Sequence, residues 1–166
     1  MTSSQTEAVT QANTAFYEAM ERGDYDELAA LWLDDGSGDP DAWSDVSCVH
    51  PGWQVLTGRG EVLRSYAALM AQIEYIQYFL TDLRVRAYGD TAIVTCTENI
   101  LLGGPTEEGS ELGPLVGQQF VATNVFHRTP DGWKMWAHHS SPVLSDSDEE
   151  EDGEGGGGGG GGESPA

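Results

Sequence analysis

The sequence predicts an α+β fold, with N-terminal helices on the concave side of a strongly curved antiparallel sheet. Two observations carry that expectation. Apolar residues recur at helical spacing as far as Ile73 and at strand spacing beyond it. The helical runs also precede the strand runs instead of alternating with them, the pattern of helices gathered on one face of a sheet. A long curved sheet wrapped around a long helix leaves a conical cavity between the two.

The elements follow in order. Ser4-x-x-Glu7 has the form of a capping box, so a first helix is expected to begin near Gln5. Val9, Ala12, Phe16, Ala19 and Met20 give it one apolar face. Arg22-Gly23 ends it, because glycine suits the left-handed position that follows a helix. Asp24-x-x-Glu27 caps a second, shorter helix with Leu28, Leu31 and Trp32 on its apolar side. The Gly-, Asp- and Pro-rich stretch 34–45 is a loop, and Trp43 within it is expected to fold back over an apolar surface. Residues 46–50 form a short strand closed by Pro51-Gly52. Residues 57–60 turn into a third helix, with Val62, Leu63, Tyr66, Leu69, Met70 and Ile73 on one face.

Long strands are then expected over 75–88, 91–102, 115–128 and 133–143. Gly89-Asp90 turns the first pair, and a loop over 103–114 joins the second strand to the third. Thr129-Pro130-Asp131-Gly132 suits a three-residue loop with glycine in a left-handed bulge. That register pairs Thr129 with Trp133, Phe126 with Trp136 and Asn124 with His138. A four-residue loop pairs Asn124 with Ala137 instead. Apolar residues on both parities, Val121 and Val125 against Phe120 and Phe126, point to two covered faces and a homodimer through the outer one.

Composition divides the chain into a domain over 1–144 and a tail over 145–166. The tail carries eight acids, no Lys or Arg, and the glycine run Gly155 to Gly162, so it is expected to be disordered. Taking those eight charges from the net −21 leaves −13 for the domain. Such a surface repels phosphate, which argues against nucleic acid and anionic membranes as partners. Cys48 and Cys96 lack a C-x-x-C spacing and read as buried thiols of a reducing compartment. No apolar run is long enough to cross a bilayer, and the first residues lack the pattern of a secretion signal. A cytoplasmic protein is the expectation.

Specific residues narrow the fold further. Ala15-Phe16-Tyr17, Gly23-Asp24, Leu31-Trp32, Val49-His50-Pro51-Gly52-Trp53 and Gly58-Arg59 together resemble the SnoaL-like proteins of the nuclear transport factor 2-like superfamily. Ala122 to Phe126 and the stretch 133–142 resemble the closing hairpin of the same group. The resemblance covers roughly residues 8–143. It implies a cone-shaped, cystatin-like α+β barrel, commonly dimeric through its sheet, with an internal pocket. The residues 36–45 look like an insertion, and the tail is also outside the family pattern. The fold hosts isomerases, cyclases, hydrolases, dehydratases and plain binding domains, so it does not fix a function. The implied ligand is a small, largely apolar organic molecule, with acid–base chemistry on it and no cofactor. The competing reading is a homo-oligomeric association module. The stretch 133–141 has some likeness to the association domain of calcium/calmodulin-dependent protein kinase II.

Candidate site residues follow from chemistry and place. His50 at the strand end beside Pro51 is either an acid–base group at the pocket wall or a histidine that stabilises the turn. His138 and His139 are adjacent on a strand, so they face opposite sides and cannot share one metal ion. No H-x-H or H-x-x-x-H spacing occurs, and no metal site is expected. The preferred hairpin register turns His138 inward beside Asn124; the opposite orientation puts His139 inside. Glu98 is either a cavity carboxylate with a raised pKa or a surface group paired with Arg84 or Arg86. Tyr17, Trp32, Trp53 and Tyr66 are core aromatics, of which one or two line the pocket with a polar tip. The expected catalytic residues are His50 and His138. The expected ligand contacts are Tyr17, Trp32, Trp53, Glu98, Asn124 and His139.

Overall fold

The computed structural model describes residues 3–34, 46–103 and 114–144. The expectations for Trp43 and for the tail fall outside the described residues.

Helix α1 (Ser3–Arg22) ends as its sequence requires. Gly23 takes φ +63, its N–H reaches Met20 O at 3.1 Å, and the Asp24 N–H reaches Ala19 O at 2.9 Å. These two bonds satisfy carbonyls that the last helical turn leaves open. Asp24 then caps α2 (Tyr25–Leu31) by accepting the Glu27 N–H at 3.1 Å. The far end of α2 is clamped by cations from later in the chain. Arg59, first residue of α3 (Arg59–Gln72), donates to Ala29 O and Trp32 O at 2.7 Å each and to Leu33 O at 3.3 Å. Lys134 reaches Ala30 O at 2.9 Å.

The sheet has strands β1 (Ser47–Val49), β2 (Leu56–Thr57), β3 (Tyr75–Tyr88), β4 (Thr91–Gly103), β5 (Val116–Thr129) and β6 (Gly132–Pro142). Their order is β2-β1-β6-β5-β4-β3. The long strands are antiparallel throughout. The short β1 runs parallel to β6, with Cys48 beside His138. Neither that pairing nor β2 was expected, since two or three residues are too few to show a period. A register shift between Thr81 and Arg84, with Asp82 at φ +54, breaks β3 at mid-length. An irregularity of that kind bends a strand, which suits a sheet that curves around α1.

The β5–β6 hairpin differs from the expected geometry in an instructive way. Thr129 pairs with Gly132, not with Trp133, so the loop is only Pro130-Asp131. Gly132 accommodates the turn at φ +111. Phe126 accordingly faces Met135, not Trp136. A register shift between Val125 and Phe126 then leaves Trp136 as the extra residue and restores the pairing of Asn124 with His138.

Alternate residues of β4, β5 and β6 face α1 and are buried: Ala92, Val94, Cys96 and Glu98, then Ala122, Asn124 and Phe126, then His138 and Ser140. They close over Val9, Phe16, Tyr17 and Met20 of α1. The core is apolar at the hairpin end, around Phe126, Trp133 and Met135. Toward the opposite end of the strands it takes in the buried polar groups Asn124, Glu98, His138 and Ser140.

Candidate functional site

At that end the sheet and helices leave a cavity of about 430 Å³, lined mostly by apolar side chains among a few polar ones. Tyr17, His50, Trp53, Glu98 and His138 all line it. Three other expected contacts lie elsewhere. Trp32 is fully buried in the core, drawn under the sheet by the Leu33 N–H to Met135 O bond at 2.9 Å and by the Arg59 clamp. His139 is exposed on the outer face, because its neighbour His138 takes the inner one. Asn124 is fully buried behind the cavity wall, where it organises the residues in front of it.

That organisation can be followed atom by atom. The Asn124 amide nitrogen donates to Asn13 Oδ1 at 2.8 Å and to the Tyr17 hydroxyl at 3.1 Å. The Tyr17 hydroxyl, having accepted there, also lies 3.8 Å from Cys96 Sγ. Glu98 accepts the Ser140 hydroxyl at 2.6 Å. Ser140 reaches it diagonally, across the row in which small Ala122 separates Cys96 from Ser140. Both Asn124 nitrogen bonds are spent on Asn13 and Tyr17, so Oδ1 faces His138. The 2.5 Å contact there requires a hydrogen on His138 Nδ1. In the neutral ring Nε2 is then bare.

His50 is held the other way round. The Ser65 hydroxyl donates to Val62 O at 2.6 Å, so it accepts from His50 Nε2 at 2.9 Å. The hydrogen sits on Nε2 and Nδ1 is bare in the neutral ring. Burial lowers the His50 pKa to about 4, with a smaller push from His138. Burial lowers that of His138 to about 4 as well, helped by His139. Both imidazoles are therefore neutral at neutral pH. The ring of Trp53 stands edge-on to His50 at 4.9 Å between centroids, at a half-exposed position on the cavity rim.

Glu98 lies inside, 3% exposed, and not at the surface. Arg84 and Arg86 are exposed and are not its partners. Burial raises its pKa, and the hydroxyls of Ser140 and Tyr17 only partly offset that. Cys48 and Cys96 are free and buried, and burial pushes both thiols up to about 11, so neither is a ready nucleophile. Among the described residues no three His, Cys, Asp or Glu side chains cluster as metal ligands. No helix among them is long and apolar enough to cross a membrane.

Asn13, Ser65 and Ser140 were not among the expected site residues. Asn13 did leave a signal, since it interrupts the apolar stripe of α1 four residues after Val9 and four before Tyr17. Ser65 likewise sits three residues after Val62 on the inner face of α3. Nothing in the sequence marks Ser140, whose partner Glu98 lies two strands away.

The family model of the SnoaL-like domain matches residues 9–145. The chain belongs to this family. A crystal structure from Streptomyces avermitilis, described as a candidate dehydratase of the NTF2-like family, shares 66% identity and a TM-score of 0.81. The match covers 86% of this chain and 98% of that one. A Thiobacillus denitrificans structure, described as a candidate calcium/calmodulin-dependent protein kinase type II association domain, is 26% identical with a TM-score of 0.60. That match covers 80% of this SnoaL-like chain and 93% of the other. Among curated proteins, the F-box protein SKIP8 of Arabidopsis thaliana is 28% identical over 142 residues, 85% of this chain. The chain spans about half, 52%, of that relative's length.

Proposed function

We propose that the protein binds a small, largely apolar organic molecule in the cavity and moves a proton on it, with loss of water as the reaction class. The observation that carries this reading is the pair of buried neutral imidazoles, held in opposite tautomers, that line one mainly apolar cavity. His138 Nε2 takes a proton from the carbon next to a carbonyl or other activating group. The C–O bond on the neighbouring carbon breaks, a C=C bond forms, and the same nitrogen returns its proton to the departing oxygen as water. His50 accepts a hydrogen bond from a substrate hydroxyl through Nδ1. Tyr17 and Trp53 supply apolar contact, and Glu98 anchors the substrate. The description of the S. avermitilis relative supports dehydration over the other chemistries of the fold.

The test uses aryl ketones and aryl β-hydroxyketones. Proton exchange at the carbon next to the carbonyl is followed by NMR in D2O, and enone formation by absorbance. Exchange above background, lost in His138→Gln and reduced in His50→Gln with the fold intact, is expected. No exchange and no rise in melting temperature with any probe would overturn the reading, because a pocket ligand must stabilise the folded chain.

A second reading concerns assembly. Phe79, Ile93 and Val121 are 49%, 43% and 47% exposed on the outer sheet face. That exposure supports a homodimer through this face, and the likeness to an association domain points the same way. A monomer mass by sedimentation at micromolar concentration would remove it.

A further inference from the structure

Glu98 is a buried carboxylate without a counter-charge. It accepts the Ser140 hydroxyl, and no ion pair among the described residues includes it. No Lys or Arg lines the cavity, and both histidines there are neutral at neutral pH. Buried charges are ordinarily paired, since an unpaired one costs several kcal/mol. Here the group opens onto a cavity and not onto packed core, so a bound molecule can supply the missing charge. The rings of Phe16, Tyr17, Trp53, Tyr66, Tyr78 and Phe120 line the same space. An aromatic wall with one carboxylate is a favourable setting for a cation, through the ring faces and the ion pair together. The chain as a whole carries −21, so its field concentrates cations at the surface and repels anions.

We propose that the ligand of this cavity is an organic cation, an amine whose ammonium pairs with Glu98 while its apolar body fills the aromatic part. This rests on the small-molecule reading above and narrows it to a charge class. Carboxylates and phosphates are disfavoured, because the cavity offers them no cation and one like charge. With Glu98 committed to the ammonium, the proton is left to the bare nitrogen of His138.

Three probes of one shape separate the possibilities: 2-phenylethylammonium, 2-phenylethanol and phenylacetate. They are titrated calorimetrically into the full chain at pH 7.5 and low salt. The ammonium is expected to bind on the order of tenfold tighter than the alcohol, and phenylacetate weakest. Glu98→Gln should bring the ammonium within about twofold of the alcohol bound to the same variant. Glu98→Asp, which keeps the charge, should retain the preference and guards against a misfolded glutamine variant. Equal binding of ammonium and alcohol, tightest binding of phenylacetate, or a preference that survives Glu98→Gln overturns the cation assignment and leaves the pocket reading standing. Absence of binding by all three probes overturns both.

Discussion

The two faces of the same strands carry hydrogen-bond networks of similar chemistry and opposite circumstance. On the outer face, Asn99 donates to Phe79 O at 2.9 Å and to Thr81 Oγ1 at 3.0 Å, and accepts from Gln119 at 3.0 Å. On the inner face, Asn124 joins Asn13, Tyr17 and His138. Each is a strand asparagine making three side-chain bonds. Water is at hand to replace every outer partner, and it has no access to Asn124. An amide in solvent is interchangeable, whereas the buried one fixes which ring nitrogen of a histidine is bare. Where a network sits, more than what it contains, decides whether it has a functional consequence.

Three perturbations put that contrast to work. Of the substitutions, the largest effect is expected from Asn124→Ala, which leaves Asn13 Oδ1 and His138 Nδ1 without their partner and takes one of two contacts from the Tyr17 hydroxyl. At about 1 kcal/mol or more for each buried group left without its partner, the loss is roughly 2 kcal/mol in urea unfolding. A loss under about 1 kcal/mol would mean the inner network is as replaceable as the outer one.

Acid comes next. The folded pKa values of His50 and His138 lie near 4, below the ordinary 6.5, so the unfolded chain takes up protons first. Their contribution is fully present above pH 6.5 and is lost as pH falls toward 4, by up to roughly 3 kcal/mol for each ring. Glu98 acts with the opposite sign, because its raised pKa lets the folded state bind a proton more readily as pH falls. Denaturation midpoints measured across this window should therefore fall on acidification, and His138→Gln should flatten the slope.

The smallest effect is expected for Asn99→Ala, within about 0.5 kcal/mol when measured on dilute protein. A loss that grows with protein concentration would instead mark the outer face as the contact between copies.

Much of this was legible in the sequence, and the exceptions have physical causes. The order of helices and long strands follows from periodicity, since each of those elements repeats its pattern several times. Asn124 beside His138 was expected, yet through a longer turn than the one found. The tighter Pro130-Asp131 loop and the extra residue at Trp136 cancel, and neither alone shows in the pattern of apolar residues. Glu98 could be placed on a strand and not on a face, because Arg84 and Arg86 offered an equally simple partner outside. Trp32 passed for a pocket aromatic because the Arg59 clamp that draws it inward comes from 27 residues further along the chain. Asn13 escaped notice because its partner Asn124 is 111 residues away. Local spacing reveals which residues share a face, whereas the donor–acceptor matching that builds a site depends on contacts between distant segments.

The chemistry proposed for the site depends on the pair of opposite neutral tautomers lining one cavity. Long-range ¹⁵N–¹H NMR of the imidazoles in the full chain at pH 6 measures it without any ligand. The structure predicts His138 with hydrogen on Nδ1 and His50 with hydrogen on Nε2, both uncharged. A protonated ring at either position, or the same tautomer at both, would contradict it.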